Sequence, residues 1–202
     1  MKDSREHILL TSLTLFLQKG FKEVTMKEIV DKTGLSKGAF YHYFSSKEQV
    51  FSEVIRHFFM DMMMTDFTRL SQQSLKAFYG DLLENIEKNR LASEKLLSAV
   101  GTGGAFNNNH YYLIFDAMRI LPDFKERLLQ QQNDELKAWK KRIALARKNK
   151  EIRTQMSDEQ VARLFIYSGD GFGINSILSD YPEKMQKGLG ILWDGLYQSL
   201  NR

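Results

Sequence analysis

Apolar residues recur along this chain with a helical period almost from end to end. Residues 4 to about 19 carry Ile8, Leu9, Leu13, Phe16 and Leu17 on one stripe, which predicts a helix that Gly20 ends and Phe21 folds back against. Thr25 opens a second, short helix. It is a good N-cap, Glu28 stands at capping-box spacing, Met26, Ile29 and Val30 face a core, and Gly34 suits the C-cap. Ser36 caps a third helix, Lys37 to about Tyr43, with Phe40 and Phe44 inward at i, i+4. A long helix from Lys47 to about Leu70 follows, its wide apolar face rich in Phe and Met. Further helical stripes cover residues 71 to about 99, His110 to Ile120, and Pro122 to about Lys148. Ser157 and Gln160 make a capping box for a helix to about Ser179, and Pro182 begins the last one. The pattern predicts an all-α chain, broken by the Gly/Asn-rich loop 101–109.

A helix, a short turn containing Gly34, and a helix with small and basic residues at its start form a helix-turn-helix pattern. In that geometry the second helix lies in the major groove, with its first residues at base edges. Gly38 and Ala39 allow close approach, Lys37 can donate to guanine or to a phosphate, and Tyr41 and His42 suit phosphates on the flank. Lys47, beside the serine-capped start of the next helix, is placed as a phosphate clamp. The candidate DNA contacts are Thr25, Ser36, Lys37, Gly38, Ala39, Tyr41, His42, Tyr43 and Lys47.

Thr25-x-x-x-Ile29, Gly34-Leu35-Ser36-Lys37-Gly38, Phe40-Tyr41-x-Tyr43-Phe44 and Lys47-Glu48 resemble the DNA-binding domain of TetR-family transcriptional regulators, and the match extends back to Ile8, Phe16, Gly20 and Phe21. Val30 and Thr33 stand where that family often has alanine, a tolerable change in a small helical core. The resemblance implies an N-terminal three-helix domain over residues 1–46. It also implies a helical domain over 47–202 for ligand binding and dimerisation. The function implied is that of a homodimeric regulator, a repressor on a near-palindromic double-stranded operator, released by a small-molecule effector. The last two helices resemble the family's dimerising pair, with Phe165, Gly169, Phe172, Gly173, Trp193 and Leu196 expected at the interface. Phe58, Met62, Phe78, Leu82, Tyr112, Phe115, Met118 and Trp139 are the candidate pocket lining, suited to a partly apolar effector. At helical spacing the same residues also read as plain core.

Composition narrows the alternatives. A chain of 202 residues with 43% hydrophobic residues is of globular type. No apolar run of membrane-spanning length and no signal-peptide segment occurs, so a cytoplasmic location is expected. The absence of cysteine removes disulfides and thiolate chemistry. A net charge of +4 is mildly favourable for nucleic acid. His7, His42, His57 and His110 are scattered, none at metal-ligand spacing with a carboxylate, so neither an enzyme, a metal site nor a cofactor is expected. The loop 101–109 lacks a preceding strand and a P-loop lysine and reads as a connection or ligand gate. The basic cluster Lys137, Lys140, Lys141, Arg142, Arg147, Lys148 and Lys150 reads as a solvated face that complements a helix C-terminus. Arg5 reads as a solvated arginine rather than a phosphate contact. An architectural DNA binder without an effector is the remaining alternative.

Overall fold

The structure, a computed structural model, describes residues 2–60, 64–99, 109–178 and 185–200. Met62, the Gly/Asn-rich loop up to Asn108 and the segment around Pro182 lie outside the described residues. The α-helices are α1 (Lys2–Glu23), α2 (Met26–Thr33), α3 (Lys37–Tyr41), α4 (Lys47–Ile55), α5 (Leu75–Ala99), α6 (Asn109–Ile120), α7 (Pro122–Lys148), α8 (Asp158–Leu178) and α9 (Met185–Ser199). No strand occurs among the described residues, and none of their helices is long and apolar enough to cross a membrane. The chain forms two compact units: Met1–Thr65 with Glu94–Leu128, and Asp66–Ser93 with Leu129–Arg202.

In the first unit α1 is interrupted at Gly20, whose φ of 77° is open to glycine and costly for other residues. That break lets Phe21 turn back onto Phe16 and onto Phe51 of α4, with ring centroids 6.0 and 4.7 Å away. Ile8, Leu13, Phe16, Ile29, Phe40, Phe44, Val50, Phe51 and Val54 are buried together, and α6 adds Leu113 and Ala117. The helix expected from Lys47 to about Leu70 does not reach Leu70. It is α-helical to Ile55 and continues as a π-helical turn over Arg56–Met60. Residues 64–66 are not helical. Asp66 then accepts from the Thr68 N–H at 3.1 Å, capping a 3₁₀ turn over Phe67–Arg69. A side chain that bonds its own backbone competes with helix continuation.

The second unit is organised around Trp139. Its indole stacks on Phe165 with centroids 4.7 Å apart and meets Phe78 and Trp193 edge-on at 5.0 and 5.5 Å. Ser157 and Gln160 close the capping box that opens α8: the Gln160 N–H donates to Ser157 Oγ at 3.2 Å and the Ser157 N–H to Gln160 Oε1 at 2.8 Å. Glu151 accepts from the Leu75 and Lys76 N–H groups at 3.0 and 3.2 Å, capping α5 from a distant loop. The basic cluster on α7 is only partly a solvated face. Arg142 is 3% exposed and donates to the Gln72 carbonyl at 2.9 Å, while burial lowers its pKa. Arg147 clasps Thr154 O, Met156 O and Asp158.

Candidate nucleic-acid interface

Local chemistry sets the two helices of the reading head. Thr25 Oγ1 accepts from the Glu28 N–H at 3.2 Å to start α2, and Gly34, at a φ of 68°, ends it with its N–H on the Asp31 carbonyl. The Glu28 carboxylate pairs with Lys19 and is also favoured by the Thr25 N–H, the return half of the capping box. The Lys19 hydrogen bond is the larger cause holding the Glu28 carboxyl below its ordinary range. Ser36 Oγ accepts from the Ala39 N–H at 3.2 Å and starts α3. α3 is shorter than its pattern suggests, ending at Tyr41, and the chain turns through His42 and Tyr43.

The orientation of α3 follows from its two phenylalanines. Phe40 is 0% and Phe44 1% exposed. Lys37, Gly38, Ala39, Tyr41 and His42 are consequently exposed, as are Thr25 and Ser36. Tyr43 is half-buried against the core. Lys37 has no ion-pair partner among the described residues. A Cβ on Gly38 would meet nothing within 4 Å, so packing within the chain gives no reason for a glycine there. The arrangement presents a short helix with a cation and a bare backbone at its start and hydroxyl and imidazole groups on its flank. Such a surface donates to phosphates and base edges.

Lys47 corrects the expectation of a phosphate clamp. Its ammonium donates to the carbonyls of Phe21 at 2.8 Å, Val24 at 2.7 Å and Lys22 at 3.4 Å, and lies 4.3 Å from the centre of the Phe21 ring. Its donors therefore point into the protein. Arg5 is paired with Glu53 and lies over the Phe44 ring, 5.7 Å from its centre.

The expected pocket residues do not come together as a cavity lining. Phe78, Leu82 and Trp139 are solid core, at 1%, 8% and 0% exposure, because the aromatic stack around Trp139 fills that space. Tyr112 and Phe115 are each 63% exposed, since Leu113 and Ala117 form the buried side of α6. Phe58 and Met118 are half-buried in the first unit, and Met62 lies outside the described residues.

The expected interface residues also face inward. Phe165 and Trp193 are 0% and 4% exposed, and the Trp193 indole N–H donates to the Phe165 carbonyl at 3.2 Å. A Cβ on Gly169 would sit 3.3 Å from the Trp193 ring and one on Gly173 3.5 Å from Met185, while the Phe172 ring covers Gly188. These glycines do permit close helix approach, but between α8 and α9 of one chain. Leu196 is half-buried against the same core. Among the described residues, the exposed large apolar side chains are Leu164, Tyr167 and Ile174 on α8 and Ile191 and Leu192 on α9. Sequence reasoning missed them because both helices are apolar on nearly every side, so periodicity does not separate an inner face from an outer one.

No group of three or more His, Asp or Glu side chains among the described residues is placed to hold a metal ion. Against known proteins, residues 8–54 match the family described as bacterial regulatory proteins, tetR family. The transcriptional repressor KstR2 of Mycolicibacterium smegmatis is 41% identical over 54 residues, 27% of this chain and 26% of that protein, so the match spans about a quarter of its length. The TetC protein of transposon Tn10 from Escherichia coli is 24% identical over 181 residues, 83% of this chain and 90% of its own. The fold resembles that of NalD, the secondary repressor of the MexAB-OprM multidrug efflux pump in Pseudomonas aeruginosa. That likeness has a TM-score of 0.58 at 18% identity and covers 100% of this chain and 97% of that one. These relatives are named as regulators rather than enzymes, apart from TetC, whose name states no activity. Residues 8–54 thus match the DNA-binding domain of the tetR family of bacterial regulatory proteins, and the all-α fold of the whole chain resembles that of NalD.

Proposed function

We propose that this chain is a homodimeric, sequence-specific transcriptional repressor of the cytoplasm, released from a near-palindromic operator by a small-molecule effector. The observation that carries the reading is the outer face of α3: Phe40 and Phe44 are buried, leaving Lys37, Gly38, Ala39, Tyr41 and His42 free. One such helix reads only a few base pairs, so specificity needs two, about 34–36 Å apart or a multiple of that. The functional division stays at residues 1–46 for DNA reading and 47–202 for effector binding and dimerisation. Leu164, Tyr167, Ile174, Ile191 and Leu192 support a two-fold contact through α8 and α9, replacing the residues that lie in the core. An effector acts through its preference for one position of α4 over another.

Selection of bound sites from random duplexes tests the reading and should return two half-sites related by symmetry. In the recovered operator, Lys37→Ala is expected to weaken binding by about 1–3 kcal/mol per half-site. If Lys37 meets phosphate, the salt slope falls by about one per half-site; if it meets guanine, preference relaxes at one position. A Lys37→Ala protein with unchanged affinity, slope and preference would remove α3 from the groove.

A further inference from the structure

The first unit contains a cavity of about 160 Å³ that the expected pocket residues do not line. Ile55 and Phe124, 1% and 4% exposed, belong to the core behind it. Met60 and Leu121 extend the apolar wall, and Arg56 and Arg127 stand at its rim. One side is formed by Ser52 and Ile55 at the end of α4 and by the π-helical turn that follows, whose first and last residues are Arg56 and Met60. A π turn carries an extra residue, breaks the regular spacing of side chains, and recurs at functional sites.

We propose that this cavity binds a small aromatic or cyclic monocarboxylate, with its ring against Ile55, Met60 and Phe124 and its carboxylate between Arg56 and Arg127. Size sets the first half of the assignment: a half-open site of about 160 Å³, apolar on one wall and polar at its rim, has room for a single six-membered ring. Charge sets the second. Pro122 has no N–H, and the Phe124 N–H is engaged by the Leu121 carbonyl at 3.0 Å, so the start of α7 is a poor anion nest. The arginines therefore supply the donors. Arg127 has no ion-pair partner among the described residues. Arg56 gives one N–H to Glu53 at 3.1 Å, but Glu53 is shared with Arg5 and a guanidinium has further donors. Asp123, also at the rim, offsets one of the two positive charges, which suits a monoanion better than phosphate or sulfate. Arginine is suited to a planar carboxylate. The occupied cavity would bear on α4 one turn from Phe51 and Val54, which share a core with Phe40 and Phe44.

The meaning of the site as an effector site rests on the repressor reading, but its occupancy does not. Calorimetry on the full chain with benzoate, benzamide and sulfate separates the two. Benzoate is expected to bind saturably near or below about 1 mM, benzamide about tenfold or more weakly, and sulfate not at all. Arg127→Gln changes an exposed side chain and should bring benzoate down to the level of benzamide while leaving operator binding intact. Absence of saturable benzoate binding overturns the proposal, as does benzoate binding that Arg127→Gln and Arg56→Gln leave unchanged. Either result can occur with operator binding intact, in which case the repressor reading stands without this site.

Discussion

The ammonium of Lys47 has three N–H donors, and the carbonyls of Phe21, Val24 and Lys22 lie within reach of them. Those carbonyls belong to the corner where α1 breaks at Gly20 and the chain turns toward α2. The residue thus ties the start of α4 to the start of the reading head, and the Phe21 ring beneath its charge adds a cation–π contact. Hydrogen bonds to a charged group contribute about 1.5–3 kcal/mol net. Lys47→Met keeps the stem and removes the donors, so it is expected to lower stability by about that amount. Measured well below the melting temperature, its operator salt slope should match the wild type, because no phosphate contact is lost. A slope reduced by about one per half-site, with unchanged stability, would return Lys47 to the DNA. The sequence shows a lysine beside two serine caps; it does not show which way a four-carbon stem runs. Caps are different. Thr25, Gly34, Ser36 and Ser157 act within three or four residues of themselves, so their roles are legible in the chain and recur in the structure.

Among the described residues the helices are legible in order, and less so in extent. After Lys47 the α-helix gives way to a π turn at Arg56, and no count of apolar spacing reveals that turn or the local bond of Asp66 to Thr68. On α7 the turn from Glu135 to Trp139 shows how burial changes chemistry within a helix. Burial raises the Glu135 carboxyl above its ordinary range, with Asp170 of α8 adding repulsion, while the Trp139 indole N–H at 3.4 Å opposes the rise. A carboxyl raised on folding binds its proton more tightly in the native chain. Its favourable contribution is complete below the unfolded value and is lost as pH rises through the folded one. Glu135→Gln keeps an acceptor for Trp139 and removes the charge. Its stability relative to wild type should therefore grow from pH 4 toward neutrality, as read by urea unfolding at several pH values. Surface carboxyls such as Glu28 and Glu159 are lowered by their Lys and Arg partners and act in the opposite sense, so the difference between the two proteins is the informative quantity. A constant difference across that range would mean that Glu135 is solvated.

For the molecule as a whole, the question is which face of the terminal helices a second copy covers. Trp193 contacts Trp139, Tyr79 and Phe165, and its indole N–H is satisfied within the chain. Replacing it with alanine opens a cavity in the second unit and is expected to cost about 3–5 kcal/mol, whatever the assembly does. Loss of dimers in that variant would therefore say nothing about the interface. Ile191 is 67% and Ile174 61% exposed, so either tolerates a charge in the isolated chain. Gly171 and Gly195 lie near them with open space where a Cβ would go, unlike Gly169 and Gly173, whose neighbours are in the same chain. A partner helix can approach closely over such positions. Under the proposed two-fold contact, a glutamate at either isoleucine is buried against its symmetry mate and repelled by it. Ile191→Glu is expected to remain folded by circular dichroism, to elute as a monomer, and to lose most of its operator affinity, because the two reading heads no longer bind as a pair. A folded Ile191→Glu dimer with full operator affinity would place the interface elsewhere. A folded dimer that releases DNA would leave the contact in place and assign Ile191 to the coupling between subunits.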